Sequence, residues 1–175
     1  MRVITADMND FFIDDTFDRV VSVEMFEHMR NYAELLRRIS GWLKPDGRLF
    51  VHIFCHRELA YFFETVGDDN WMGRYFFTGG IMPTVGLIRQ FPDLFTVEEE
   101  WRWSGSHYKR TALQWLELFD ANRGRIDPIL KRVYGAEAGV WRRRWRMFFL
   151  ATAESFGFKD GDAWGVNHYL LKPSI

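Results

Sequence analysis

A strand, an amphipathic helix and a second strand follow one another within residues 18–54, and this order most constrains the fold. The first strand candidate, residues 18–23, is rich in valine. Asn31 and Glu34 have the spacing of a capping box, and apolar residues then recur at helical intervals. Residues 48–54 are almost wholly apolar, as in a strand buried on both faces of a parallel sheet. The pattern predicts a βαβ unit and therefore an open α/β sheet.

The rest of the chain predicts further elements around an irregular aromatic segment. Residues 57–94 combine aromatic side chains with glycine and proline, which predicts short helices and loops. Thr111 with Gln114 has capping-box spacing and predicts a helix start. Asp127-Pro128 resembles an N-cap followed by proline at the first helical position. The remaining predictions are strands at residues 2–6, 95–103 and 164–172, helices at residues 111–122, 127–134 and 137–156, and a turn at residues 44–47.

Composition excludes several classes of protein. The 175 residues are 47% hydrophobic and 27% charged, which suits one domain with a core and excludes a disordered chain. A net charge of -1 argues against a nucleic-acid partner. The single cysteine, Cys55, cannot form an internal disulfide and suits a reducing compartment. Because no apolar run could span a bilayer, we expect a cytoplasmic protein without stable membrane insertion.

The candidate chemistry lies where the predicted strands end, which is where open α/β sheets bind their ligands. Asp7 follows the first predicted strand, Glu24, Glu27 and His28 follow the second, and His52 lies near the end of the third. Closely spaced carboxylates raise the pKa of one of them, and a nearby imidazole can share protons with them. Acidic residues also favour the start of a helix through its dipole, so spacing alone leaves both interpretations open.

Other candidate groups have simpler explanations. His52 suits a hydrogen-bonded core histidine, and Asp7 suits a turn. The aromatic residues 61–77 suit a core or a lid, although a cation cage would favour a cationic substrate. The arginine-rich residues 142–146 suit a solvated helix face, with contact to anionic lipid as the minor alternative. Cys55 has no second cysteine nearby, so no metal site is predicted, and the 14 glycines form neither GxGxxG nor a P-loop.

Several segments resemble the class I S-adenosylmethionine-dependent methyltransferases, and within these the cyclopropane-fatty-acid synthase superfamily: Ser22-Val-Glu-Met-Phe-Glu-His-Met29, Leu43-Lys-Pro-Asp-Gly47 and Leu49-Phe-Val-His-Ile-Phe54. Later segments are similar to the coclaurine N-methyltransferase branch: Asp69-Asn-Trp71, Arg74-Tyr-Phe-Phe-Thr-Gly-Gly80 and Gly105-Ser-His-Tyr108. The resemblance implies one Rossmann-like domain over residues 1–175. Residues 1–56 would belong to its sheet, residues 57–94 to a helical lid, and residues 95–175 to C-terminal strands and acceptor-site helices.

The resemblance also implies a reaction and assigns residues to it. In the N-methyltransferase branch the motif's acidic residues and histidine hold a small amine and assist its deprotonation, which places catalytic roles on Glu24, Glu27 and His28. S-adenosylmethionine is the implied cofactor, with Asp7 and Met8 in the loop that contacts its adenine. The implied acceptor contacts are His52, Trp71, Tyr75, Phe76 and Tyr108.

The lipid-modifying members of the superfamily supply an alternative acceptor, a lipid acyl chain. The resembling cyclopropane synthases carry glycine at the position of Glu24 and proline at that of Thr78, so the chain departs from them at both positions. Their base is a bound bicarbonate, and its ligands match Glu27, His52 and Tyr108. Methylene transfer to a phospholipid therefore stands as the alternative to N-methylation.

The family's GxGxG strand and its next strand, which ends in an acidic residue, have no counterpart in the chain. We therefore expect a partial methyltransferase sheet that lacks the first cofactor-binding strands. The strand at residues 18–23 would then be an unprotected edge, which favours self-association. A further alternative is a non-catalytic fragment that lacks the cofactor loop.

Overall fold

The computed structural model describes residues 2–174, so Met1 and Ile175, the ends of the predicted domain, lie outside the described residues. Short 3₁₀ helices occupy Phe26–His28, Leu87–Gln90, Gly135–Glu137 and Phe158–Gly161. The strands and α-helices, in chain order, are β1 (Phe17–Val23), α1 (Tyr32–Trp42), β2 (Leu43–His56), β3 (Tyr61–Phe62), α2 (Trp71–Tyr75), β4 (Ile81–Met82), β5 (Phe95–Ser104), α3 (Gly105–Ala121), α4 (Arg123–Tyr134), α5 (Ala138–Gly157) and β6 (Trp164–Pro173).

A mixed four-stranded sheet has the order β1-β2-β6-β5. Strands β1 and β2 run parallel with α1 between them in the chain, whereas β6 is antiparallel to both β2 and β5. Strands β3 and β4 form a separate antiparallel pair. The predicted βαβ unit and the mixed α/β class are confirmed. In the described residues β1 is an edge strand, and its Val21 and Val23 side chains are exposed.

Helix α1 begins where the capping-box spacing predicts, although only half of the box forms. The Asn31 side chain accepts a hydrogen bond from the Glu34 amide at 3.1 Å. The Glu34 carboxylate pairs instead with the guanidinium groups of Arg37 and Arg38. Each fully buried leucine or isoleucine of the helix contributes about 1.5–3 kcal/mol to folding. The buried stripe that packs on the sheet consists of Tyr32, Leu35, Leu36 and Ile39.

Two apolar clusters lie on the sheet. The larger one packs α1 against Leu49 and Val51 of β2 and Leu171 of β6. The smaller one joins Phe54 at the end of β2 to Phe156 of α5, with their rings 6.2 Å apart in a T-shaped arrangement. The smaller cluster therefore brings the long C-terminal helix α5 to the same end of β2 that carries the candidate site.

Two predictions in the first third of the chain are wrong. Residues 2–6 form no strand, because no neighbouring strand among the described residues offers them hydrogen-bond partners. Residues 44–47 belong to β2 rather than to a free turn. The register there jumps from Phe17 opposite Leu43 to Arg19 opposite Arg48, so the predicted turn is an irregularity within the strand.

Two predicted helix starts are also wrong, because residues upstream begin each helix. Helix α3 starts at Gly105, where the Ser104 hydroxyl accepts from the Ser106 amide at 3.2 Å, and Thr111 lies inside it. Helix α4 starts at Arg123 and includes Pro128. No helix in the described range has an apolar stretch long enough to cross a bilayer.

The strands at the C-terminal end and the start of α5 agree with the predictions within a residue or two.

Candidate active site

The parallel strands β1 and β2 end side by side, and this places the first candidate residues together. The amide of Glu24, directly after β1, donates to the carbonyl of His52 at 3.0 Å. Glu24 has a φ of 51°, in the left-handed region that glycine adopts freely. A non-glycine residue there costs about 1–3 kcal/mol and persists only where the surroundings hold it. The fold thus holds the Glu24 side chain beside β2.

Three side chains form a line across the sheet. Glu24 Oε1 lies 3.1 Å from His52 Nε2, at ion-pair distance but without a well-aligned hydrogen bond. His52 Nδ1 lies 2.7 Å from His168 Nε2, and the two residues are register partners on β2 and β6. The site therefore joins an acidic group to two imidazoles.

Glu27 is a buried carboxylate on the 3₁₀ helix that follows β1. Its side chain is 1% exposed, and its Oε2 has no hydrogen-bond partner among the described residues. Burial, and then the charge of Glu24, raises the pKa of Glu27 to about 8. Burial alone raises the pKa of Glu24 to about 7. The pair can therefore take up and release protons near neutral pH.

Tyr108 on α3 is the fourth group of this centre. Its pKa is raised, first by burial and then by the negative charges of Glu24 and Glu27, which face it. Its ring packs edge-on against Phe156 with centroids 4.4 Å apart. A neutral phenol is thereby held between the carboxylates and the smaller apolar cluster.

Tyr108 separates two spaces. The first, which we call the aromatic cavity, has a volume of about 290 Å³. The second, the open groove, has a volume of about 460 Å³. The aromatic cavity is lined mainly by rings and acidic residues, among them Phe54, Phe63, Glu64, Asp69, Phe77, Tyr108, Phe148, Phe156 and Trp164. The open groove is lined by Glu24, His52, Trp103, Ser104, His107, Tyr108, Thr111, Trp115, Val166 and His168.

The remaining predicted side chains lie at different distances from this centre. His28 is exposed and stacks on Phe77, with ring centroids 5.8 Å apart. Phe76 stacks on Phe148 at 4.5 Å, next to the aromatic cavity. Trp71 and Tyr75 line a separate shallow groove beside α5. The structure therefore brings Glu24, Glu27, His52 and Tyr108 together and places Trp71 and Tyr75 elsewhere.

Asp7 and Met8, the predicted cofactor contacts, form a turn that α1 holds in place. Asp7 Oδ1 accepts from the backbone amide and the side-chain amide of Asn9, each at 2.8 Å. The Arg38 guanidinium of α1 donates to the carbonyls of Met8 and Asn9 at 3.0 Å each. The Met8 side chain packs against the larger apolar cluster. The carboxylate of Asp7 is exposed next to this anchored turn.

Sequence reasoning missed His168 and Phe148. His168 lies in a strand of mixed polarity, and only the β2–β6 register places it opposite His52. Phe148 lies on the correctly predicted helix α5, but helical spacing does not identify the partner of each ring. Both positions depend on pairings between distant segments, which no local pattern encodes.

Comparisons with known proteins agree on one family. The family described as "Mycolic acid cyclopropane synthetase" matches residues 1–165. The (S)-coclaurine N-methyltransferase of Thalictrum flavum subsp. glaucum is 38% identical over 177 residues, which covers 98% of this chain and 49% of that protein. The (S)-coclaurine N-methyltransferase of Papaver somniferum is 36% identical over 176 residues, covering 98% and 50%.

A solved structure of a coclaurine N-methyltransferase is also similar to this chain. The crystal structure of coclaurine N-methyltransferase bound to N-methylheliamine and SAH superposes with a TM-score of 0.86 at 38% identity. The superposition covers 95% of this chain and 51% of that one. The chain therefore spans about half the length of the curated relatives that it matches.

Proposed function

The chain belongs to the mycolic acid cyclopropane synthetase family, and from this membership we propose an S-adenosylmethionine-dependent methyltransferase that methylates the nitrogen of a small amine. One observation carries the proposal: the half-buried Glu24 and the buried Glu27 lie close together, and burial raises their pKa values to about 7 and 8. They lie at the end of parallel strands, beside His52 and Tyr108. The similarity to coclaurine N-methyltransferases supports the same reaction.

An amine attacks through its lone pair, so a protonated acceptor must first lose a proton. Glu24 and Glu27 hold a cationic amine by charge and then accept that proton, since their raised pKa values match the task. His28 is the third member of this set in the proposal. S-adenosylmethionine supplies an electrophilic methyl group when bound. The chain's remaining contribution is to position the amine and to exclude water.

The described residues fit two ends of this cofactor. Asp7 uses Oδ1 for its own turn, so Oδ2 is available to an amino group such as that of adenine, and Met8 adds an apolar neighbour. Glu24 offers a buried oxygen without a hydrogen-bond partner among the described residues, which suits a cation. The chain contains no GxGxG sequence, so it offers residues for the adenine and methyl ends only.

The aromatic cavity suits the body of a small aromatic amine. Its volume of about 290 Å³ is at the lower end of small-molecule sites. Phe63 and Phe77 stack in its wall with centroids 4.9 Å apart, and Glu64 and Asp69 add negative charge. Ring faces attract alkylammonium groups, so the wall binds both a protonated acceptor and a methylated product.

Cyclopropane-type transfer to a lipid acyl chain is the second candidate, and one observation favours it. Glu27, His52 and Tyr108, which match the bicarbonate ligands of the lipid-modifying relatives, all lie around Glu24. The Glu24 carboxylate, however, lies 3.1 Å from His52 Nε2. A second anion bound to His52 would be repelled by that carboxylate, so we propose an amine acceptor ahead of a lipid acyl chain.

The deciding experiment compares acceptors. The full-length protein is incubated with methyl-labelled S-adenosylmethionine and either a panel of small aromatic amines or vesicles of unsaturated phospholipid. We expect label on the amines and none on the lipid. Label on the lipid alone would establish the second candidate instead.

A non-catalytic fragment is tested on the 175-residue chain itself. Calorimetry with S-adenosylmethionine measures whether this chain binds the cofactor. Micromolar binding would refute the fragment hypothesis. An absence of binding, together with an active full-length protein, would assign cofactor capture to segments beyond these residues.

A further inference from the structure

The side chains of Glu24, His52 and His168 form a line along the open groove. Glu24 Oε1 lies 3.1 Å from His52 Nε2, and His52 Nδ1 lies 2.7 Å from His168 Nε2. All three side chains line the open groove. His52 thus presents one ring nitrogen to each neighbour: Nδ1 is hydrogen-bonded to His168, and Nε2 lies close enough to Glu24 for a hydrogen bond to form when the carboxyl group turns.

The ring of His168 is fixed by apolar neighbours and by the sheet. It stacks on Phe50 with centroids 5.5 Å apart and rings inclined by 20°. It also meets Trp103 edge-on at 5.9 Å. Because His52 and His168 are direct register partners, the strand pairing fixes the distance between them. His168 is therefore held toward His52 without depending on a bound substrate.

The proposed reaction must release a proton to solvent in each turnover. Each methylation of a protonated amine leaves one proton on Glu24 or Glu27, because raised pKa values let both carboxylates accept a proton near neutral pH. A second turnover requires that proton to leave. Burial lowers the pKa of His52 and of His168, so both rings are mainly neutral near pH 7. A neutral imidazole donates at one nitrogen and accepts at the other.

We propose that His168 is the proton exit of the site, a relay residue for the methyl transfer proposed above. Protonated Glu24 gives its proton to His52 Nε2, and the proton on His52 Nδ1 passes to His168 Nε2. His168 then releases the proton on its other nitrogen to water in the open groove. One proton enters and one leaves, and no electrons are transferred. Both rings end in the opposite tautomer, and proton exchange with water in the groove returns them before the next turnover.

The other groups that face this line do not carry the proton to solvent, so His168 is the exit. Tyr108 on α3 keeps its proton, because burial and the facing carboxylates raise its pKa. His107, also on α3, lines the groove, but its Nδ1 lies 3.2 Å from the Arg110 guanidinium, and its ring packs edge-on against Trp103 with centroids 5.6 Å apart. On β5 the facing side chain is Trp103, which does not titrate.

The test uses full-length protein carrying His168→Phe, which keeps an aromatic ring on Phe50 but cannot carry a proton. We expect kcat at pH 7 to fall at least about tenfold with KM for the amine unchanged. Imidazole added to the assay should restore most of kcat, because it can accept the proton from the groove. His107→Phe is the matched control, which changes a histidine of the same groove outside the line, and it should keep the wild-type kcat.

Three results would overturn the relay: an unchanged kcat in His168→Phe, a fall in kcat that imidazole does not reverse, or a rise in KM alone. If His168→Phe does not fold, His168→Gln retains a hydrogen bond to His52 without passing a proton and gives the same test. An active wild type with an unaffected His168→Phe variant contradicts only the relay. A wild type that methylates no amine contradicts the proposed function itself.

Discussion

The aromatic cavity and the open groove meet at Tyr108, yet different kinds of side chain line them. The cavity wall contains rings in mutual contact, such as Phe63 on Phe77 at 4.9 Å, and Phe148 of the wall stacks on the neighbouring Phe76 at 4.5 Å. The groove carries a carboxylate and three imidazoles within its wall. Ring packing recognises shape and positive charge, whereas a chain of titratable groups moves protons.

In the proposed function, amine binding and proton transfer therefore lie on opposite sides of one phenol. Tyr108 lines both spaces and keeps its proton, because burial and two carboxylates raise its pKa. A change in the cavity wall should therefore act on KM, and a change in the line formed by Glu24, His52 and His168 should act on kcat.

Removing the buried carboxylate should have the largest effect. Glu27→Gln keeps the shape of the side chain but cannot take a proton, so we expect kcat to fall about 10²–10³-fold. KM should change less, because Glu24 still holds the amine by charge. Steady-state kinetics of the full-length protein measure this loss. Glu117→Gln, on the exposed face of α3, is the control and should be silent. A Glu27→Gln variant with wild-type kcat would contradict the assignment.

Truncating the cavity wall should affect binding instead. Phe148→Ala removes the ring that stacks on Phe76, so we expect KM for an aromatic amine to rise about tenfold and kcat to change less. Kinetics with a series of amine sizes would measure it. Trp71→Ala, in the separate shallow groove, should leave KM unchanged. An equal rise in KM for Trp71→Ala would instead place Trp71 at the acceptor.

The raised carboxylate pKa values predict how stability depends on pH. The pKa of Glu27 rises from 4.5 to about 8, so the folded state binds more protons than the unfolded state between those values. The contribution of Glu27 to the free energy of unfolding is therefore present at low pH and is lost as pH rises toward about 8. Urea unfolding at pH 5 to 8 should show a steeper decline for wild type than for Glu27→Gln. Parallel curves would contradict the burial argument.

The smallest effect concerns the backbone of Glu24. At a φ of 51°, glycine should exceed alanine in stability by about 1 kcal/mol, so Glu24→Gly should melt higher than Glu24→Ala. The same pair of substitutions at Met25, whose φ is -130°, is the control and should show the reverse order. Equal melting temperatures at position 24 would show that the left-handed conformation costs nothing.

Local signals predicted much of the fold. The Asn31 cap, the apolar spacing of α1 and the apolar run of β2 each act within a few residues, and all three lie where the sequence placed them. Residues 2–6 did not form a strand, because a strand depends on a neighbour rather than on its own residues. The start of α4 was also missed, since the Asp127 carboxylate pairs with Arg142 of α5 instead of capping a helix.

Local signals likewise identified only part of the candidate site. Glu24 and Glu27 drew attention because they follow a recognisable strand three positions apart, and the family resemblance then supplied their predicted catalytic role. That Glu24 lies beside His52 follows from the parallel pairing of β1 with β2. The sequence could not assign the partner of His52 on β6, because that pairing joins segments more than a hundred residues apart.

The left-handed backbone at Glu24 also bears on how such proteins change their chemistry. Position 24 has a conformation that glycine adopts without strain. The family resemblance implies glycine at this position in the cyclopropane synthases. One nucleotide change converts a glycine codon into a glutamate codon. The local chain path can therefore stay the same while a carboxylate is added beside His52. A single substitution at this position therefore supplies the carboxylate that the proposed function uses, without rebuilding the loop.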